Sequence, residues 1–231
     1  MRFAQPLISG RLLRRYNRFL ADIELETGEE VTAHCPNPGA MLGVAEPGSR
    51  VWGEPHDTPN RKLRYGWRLV QVGNGLAGID TSVPNRVVGE ALRAGLIPGL
   101  TGEVRAEVPY GRNSRVDFLV GETFVEVKNV HLMRQPGLAE FPDCVTARGA
   151  KHLDELADQV RAGHRAVMLY CIQRTDCERL AFAADLDPGY HAAYLRAREA
   201  GVEAIAWACR IGTDEIALDR PIPIDDTAPR I

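Results

Sequence analysis

Apolar and polar residues alternate through Ser114-Arg-Val-Asp-Phe-Leu-Val120 and again through Thr123-Phe-Val-Glu-Val-Lys-Asn-Val130. A period of two is that of a strand, whose successive side chains point to opposite faces. Gly121-Glu122 supplies turn chemistry between the two runs, so the stretch predicts a β-hairpin. On its second strand Phe124, Glu126, Lys128 and Val130 share one face, and Val125, Val127 and Asn129 the other. Upstream, short alternating runs at Arg14 to Leu25, Glu30 to His34, Arg50 to Gly53, Tyr65 to Val72 and Leu76 to Asp80 are broken by Gly and Pro, the pattern of a small five-stranded barrel.

Downstream the period changes. Asn85 is placed to cap a helix with Val87, Val88, Ala91, Leu92 and Leu96 on its apolar face, followed by a strand from Gly102 to Tyr110. A loop is expected through Gln135-Pro-Gly137 and Phe141-Pro-Asp143, and Thr146 caps a helix with an apolar stripe at Leu153, Leu156, Ala157 and Val160. The unbroken apolar run Ala166–Ile172 predicts a strand covered on both faces. A helix from Asp187-Pro-Gly189 to Ala200, with Tyr194, Leu195 and Ala197 inward, leads to a strand over 202–211. Ala197-x-x-x-Gly201-Val202 also fits a loose helix-turn-helix pattern, but Gly201 serves better as a helix C-cap and the residues after it alternate as a strand. The tail over 214–226 is acidic and proline-broken, and is expected to wrap the surface. The reading is two domains: residues 1–81 an all-β OB-like barrel, residues 82–231 an α/β domain with a mixed sheet flanked by helices.

The chain has 231 residues, 45% of them hydrophobic, with 28 basic against 31 acidic side chains. Global charge therefore does not advertise nucleic-acid binding, but Arg2, Arg11, Arg14, Arg15 and Arg18 form a stretch without acids and Arg50, Arg61, Lys62, Arg64 and Arg68 another rich in bases. Arg14, Arg15, Arg18, Arg61, Lys62 and Arg64 are the candidate phosphate contacts, with Tyr16, Trp52, Tyr65 or Trp67 as stacking platforms. A solvated arginine face over a barrel core is the competing reading. The five cysteines are odd in number and lack C-x-x-C spacing, the start lacks a signal-peptide run and no long apolar stretch occurs. The expected setting is cytoplasmic, without membrane insertion.

Within the hairpin, Asp117, Glu126 and Lys128 interrupt apolar strands, and charges in such a place need pairing or a metal. A surface ion pair is the ordinary explanation. The alternative is a Mg²⁺ or Mn²⁺ site held by the two carboxylates, with Lys128 orienting a water for attack on a phosphodiester.

Asp117 followed by Glu126-Val-Lys128 resembles the core of the PD-(D/E)xK nucleases. Leu13-Arg-Arg-Tyr-Asn-Arg-Phe-Leu-Ala-Asp22, His34-Cys-Pro-Asn-Pro-Gly-Ala-Met41, Pro84-Asn-Arg86, Ser114-Arg-Val-Asp-Phe118, Val125-Glu-Val-Lys-Asn-Val130 and Phe141-Pro-Asp143 resemble the sugar fermentation stimulation protein A (SfsA) family over nearly the whole length. The resemblance implies an N-terminal OB-fold, a restriction-endonuclease-like domain and DNA binding with little sequence preference, together with a role in regulating sugar metabolism. It implies Asp117, Glu126 and Glu90 as metal ligands, with Lys128 and Lys151 completing the catalytic set. Asn37 and Arg115 join the DNA contacts, and a homodimer is a possible assembly. The family's usual loop hydroxyls are replaced here by Pro38 and Ala40. A DNA-binding regulator that keeps the nuclease fold without turnover is the alternative function.

Overall fold

A computed structural model describes residues 1–56, 62–111 and 114–225. Arg61, one of the expected phosphate contacts, lies outside the described residues. Strands β1 (Ile8–Tyr16), β2 (Leu20–Leu25), β3 (Glu30–His34), β4 (Arg50–Pro55), β5 (Tyr65–Val72) and β6 (Gly75–Gly78) run in the order β3-β2-β1-β4-β5-β6. β3 also pairs in parallel with β5 through Ala33–Tyr65 and His34–Gly66, closing the first five strands into an OB barrel. Leu12, Ile23, Val51, Trp67 and Val70 fill it. The single strand expected over 14–25 is two strands. Asn17 and Arg18 turn the chain with φ of 48° and 61°, a turn that no Gly or Pro marks.

The second domain comprises α1 (Val83–Arg93), β7 (Val104–Tyr110), β8 (Ser114–Val120), β9 (Thr123–Val130), β10 (Leu132–Gln135), β11 (Gly137–Phe141), α2 (Ala147–Arg161), β12 (Arg165–Ile172), β13 (Cys177–Phe182), α3 (Pro188–Glu199), β14 (Glu203–Ile211) and β15 (Ile216–Ile222). Its main sheet runs β15-β14-β12-β9-β8-β7. β12 is parallel to β9 and β14, whereas β7, β8 and β9 are antiparallel, so the sheet is mixed. One face packs Val125, Val127 and Leu169 with Val87 and Val88 of α1. The other packs Met168 and Tyr170 with Leu153 and Leu156 of α2 and Tyr190 of α3. Cover on both faces explains the unbroken apolar run of β12.

Thr146 caps α2, its hydroxyl accepting from Gly149 N–H, and Asp187 caps α3 in the same way through Tyr190 N–H. At α1 the cap position belongs to Ser82, and Asn85 lies inside the first turn. Leu96 and Leu195, expected inward, are 58% and 42% exposed. The expected loop over 135–143 contains strand β11, which with β10 and β13 makes a small separate sheet. The tail pairs as β15 along β14 instead of wrapping loosely, and residues 203–211 are a strand, which removes the helix-turn-helix reading. The five cysteines are free thiols, and no described helix is long and apolar enough to cross a membrane.

Polar contacts join the two domains. Met41 N–H donates to Asp143 across 3.1 Å, and His131 Nε2 lies 3.3 Å from the same carboxylate. Burial raises the Asp143 pKa, but His131 and the Met41 amide outweigh it and bring it to about 2. Gln173 Nε2 donates to both Asp80 C=O and Asn129 Oδ1, tying the end of the barrel to the residue after Lys128.

Candidate active site

The hairpin opens where its charges stand. Ladder pairs join Val120–Thr123, Leu119–Phe124 and Phe118–Val125. Past them, Val127 N–H donates to Asp117 Oδ2 at 2.8 Å, so a carboxylate stands where a ladder would use a backbone carbonyl. Asn85 Nδ2, from the first turn of α1, donates to Asp117 Oδ1 at 2.6 Å. The strand period puts Glu126 and Lys128 on the α2 face. There Lys128 Nζ donates to Glu126 Oε1 at 2.7 Å. His152 Nδ1 shares that same oxygen and lies 3.2 Å from Lys128 Nζ. Arg148, one turn before His152, donates from Nε to His152 Nε2 at 3.3 Å. A carboxylate at Nδ1 and a donor at Nε2 set the ring as its Nδ1–H tautomer.

Glu126 is only 2% exposed, and its Oε2 is buried with no hydrogen-bond partner among the described residues. The Tyr110 hydroxyl and Glu155 Oε2 are in the same condition nearby. Burial, then the charges of Glu126, Glu155 and Asp117, push the Tyr110 hydroxyl far above its ordinary range. Burial raises the Asp117 pKa, and the negative charge of Glu126 raises it further. For Glu126 burial acts upward, but the His152 hydrogen bond and the Lys128 charge outweigh it and leave the group below its usual value. Asp117 and Glu126, the latter with an orphaned oxygen, offer hard carboxylate oxygens of the kind a divalent cation takes, while among the described residues no group of three His, Cys, Asp or Glu is arranged to hold a metal ion.

A cavity of about 380 Å³ opens over Asp117, lined also by Glu107, Ser114, Arg115, Arg148, Lys151 and His152. Three cations thus rim a carboxylate floor, a distribution suited to an anionic group approaching a cation. Glu107 holds φ of 54° within β7, and its carbonyl accepts from Arg115 Nη1 at 3.0 Å. A non-glycine residue there is uncommon, and such geometry gathers at functional sites.

The chain matches the sugar fermentation stimulation protein RE domain over residues 82–215 and the SfsA N-terminal OB domain over residues 13–79. The chain belongs to the SfsA family. The sugar fermentation stimulation protein homolog of Dinoroseobacter shibae is 61% identical, with 99% of this chain and 97% of that protein covered. The homolog of Brucella ovis is 53% identical over 98% of each chain. Among solved structures, Pyrococcus furiosus SfsA in complex with Ca²⁺ superposes with a TM-score of 0.88 at 27% identity, over 98% of both chains.

In this SfsA-family chain, Asp117, Glu126 and Lys128 come together as their spacing suggests, and Lys151 joins the cavity wall, its Nζ 3.2 Å from Ser114 Oγ. Glu90 does not join them. It lies five residues beyond Asn85, about 140° around the helix, and its half-exposed carboxylate binds the Met1 ammonium at 2.6 Å. The α1 residue that reaches Asp117 is Asn85.

The barrel contacts also divide. Arg14 is paired with Asp22 at 2.8 Å and stacked on Tyr16. Arg15 donates to the carbonyls of Asn37 and Gly39. Asn37, 1% exposed, holds its own loop through Gly39 N–H and the Ile79 carbonyl, so it is a strut and is not available to a phosphate. Arg18, Lys62, Arg64 and Arg115 are exposed. Trp67 is fully buried in the barrel core, and Trp52 lies under Arg50. His152 and Asn85 are the residues that sequence reasoning missed. His152 follows Arg148 by one helical turn and adjoins the apolar stripe of α2, which is the signal that marks it.

Proposed function

We propose that this protein binds nucleic acid with little sequence preference and hydrolyses phosphodiester bonds at the split hairpin in the presence of Mg²⁺ or Mn²⁺. The observation that carries the reading is the buried, half-unpartnered Glu126 next to Asp117 beneath a cation-rimmed cavity. The P. furiosus SfsA structure is a complex with Ca²⁺, which supports a divalent cation here. Asp117 and Glu126 would hold it, and it would neutralise phosphate charge. Arg115, Arg148, Lys151 and the Ser114 hydroxyl bind the non-bridging phosphate oxygens. Lys128 has three N–H donors and commits one to Glu126. The others orient the attacking water and meet the charge that builds on the phosphorus-bound oxygens as the water oxygen attacks and the P–O bond opposite breaks. His152 fixes the Glu126 carboxylate. The cell compartment proposed is the cytoplasm.

A second reading, a nucleic-acid-binding regulator without turnover, is favoured by the way Lys128 and His152 already satisfy Glu126 Oε1, as a structural network would. Nicking of supercoiled plasmid separates the two. With Mn²⁺ the wild type is expected to nick, Lys128→Ala to bind plasmid and Mn²⁺ without nicking, and Asp117→Ala to lose Mn²⁺ binding. A wild type that binds plasmid and never nicks it refutes hydrolysis, and a Lys128→Ala variant cutting at the parental rate removes Lys128 from the mechanism.

A further inference from the structure

We infer that the seam between the barrel and α1 carries a subsite for an unpaired nucleobase, with Phe19 as its stacking platform. This rests on the nucleic-acid reading above and names the class of substrate as single-stranded. Three observations support it. Phe19 is 46% exposed, although a phenyl ring ordinarily joins a core. The left-handed pair Asn17-Arg18 presents it at the β1–β2 turn, and its ring lies nearly parallel to His34, with centroids 6.4 Å apart and planes 20° apart. It forms one wall of a cavity of about 380 Å³, whose other walls include His34, Pro36, Pro38, Thr81 and Ser82. An aromatic face with prolines around it and hydroxyls at the edge is the construction that holds a base by its π-face while polar groups meet its edge.

Charge points the same way. Arg11, Arg14 and Arg50 of the barrel are each paired with a carboxylate, and Arg68, on the cavity wall, is held by Glu54 and Asp80. These four arginines of the barrel are therefore already matched by the chain's own carboxylates, three of them at the exposed surface, and stacking on Phe19 is what the cavity wall adds. The exposed Arg18, adjacent to Phe19, serves the phosphate attached to such a base. The subsite also borders the hydrolytic site. Ser82 on its rim stands three residues before Asn85, about 4.5 Å along the helix axis, and Asn85 touches Asp117.

The test uses the full chain and three variants: Phe19→Ala, Phe19→Trp and Lys128→Ala. Fluorescence anisotropy with labelled oligo(dT) and with a labelled duplex reads affinity, and the added tryptophan of Phe19→Trp reads stacking by its quenching, with dTMP as the mononucleotide arm. Phe19→Ala is expected to weaken oligo(dT) binding roughly 5- to 150-fold, the range for losing one base stack, and to leave melting and Mn²⁺ binding unchanged. Phe19→Trp should bind as the wild type does and be quenched by oligo(dT). Quenching by dTMP as well shows that a free nucleotide suffices; quenching by oligo(dT) alone assigns the cavity to a strand. Wild-type affinity in Phe19→Ala, or an unquenched Phe19→Trp, overturns the subsite. Loss of nicking by every protein with quenching preserved overturns the hydrolytic reading and leaves this one standing.

Discussion

Asn37→Ala offers a direct check on the loop that joins the domains. Its side chain donates from Nδ2 to the Ile79 carbonyl at 2.9 Å and accepts at Oδ1 from Gly39 N–H at 2.8 Å. Both contacts sit in a place where the residue is 1% exposed, so water does not replace them. Two neutral hydrogen bonds at about 1 kcal/mol each, with a further ~1 kcal/mol for a carbonyl left buried without a donor, give a loss of about 3 kcal/mol. For a chain of this size that corresponds to a melting temperature lower by about 6–12 °C. Differential scanning calorimetry measures it, and anisotropy with oligo(dT) under conditions where the variant is folded measures binding. Asn37→Asp keeps the acceptor for Gly39 but sets a negative charge against the Ile79 carbonyl, so it should melt no higher than Asn37→Ala. If Asn37→Ala melts with the wild type and instead loses nucleic-acid affinity, Asn37 is a phosphate contact and the strut argument fails.

Three further predictions concern the carboxylates. Because burial and Glu126 raise the Asp117 pKa, ionising it costs folded stability. That penalty is absent below the ordinary carboxylate range and complete above the raised pKa. Asp117→Asn keeps an acceptor for Val127 N–H, so relative to wild type it should gain melting temperature as pH rises above the ordinary carboxylate range; a pH-independent difference would contradict the raised pKa. Mn²⁺ should raise the melting temperature of the wild type but not of Asp117→Asn. Glu90→Gln should bind Mn²⁺ and nick plasmid as the wild type does, since Glu90 is engaged by the Met1 ammonium; a tenfold loss of Mn²⁺ affinity by calorimetry would return Glu90 to the site.

Much of this architecture is written locally. The alternation of 114–120 and 123–130 set both strands of the hairpin and put Glu126 beside Lys128, because a strand's period leaves no freedom about which side chains share a face. The apolar run of β12 and the caps Thr146 and Asp187 were legible for the same reason: each depends on a few neighbouring residues. Failures came where no local mark exists. The Asn17-Arg18 turn contains neither Gly nor Pro, and β15 has a proline and a charge pair within a strand that lies at the sheet edge, where those are tolerated.

What the sequence determined by itself is the chemistry available at the hairpin: two carboxylates and an ammonium in a strand pair. Only the tertiary structure decided their partners. His152 reaches Glu126 across 26 residues because α2 packs over β9, Asn85 replaces Glu90 because helical phase turns it toward Asp117, and the strands part at Phe118–Val125 to make room between them. Periodicity assigns a side chain to a face; which group stands opposite is set by how the helices dock on the sheet, and that is a long-range packing result. The same holds for the barrel, where arginines of the basic stretches took carboxylate partners, most of them at the surface, and a phenyl ring, Phe19, was left facing solvent.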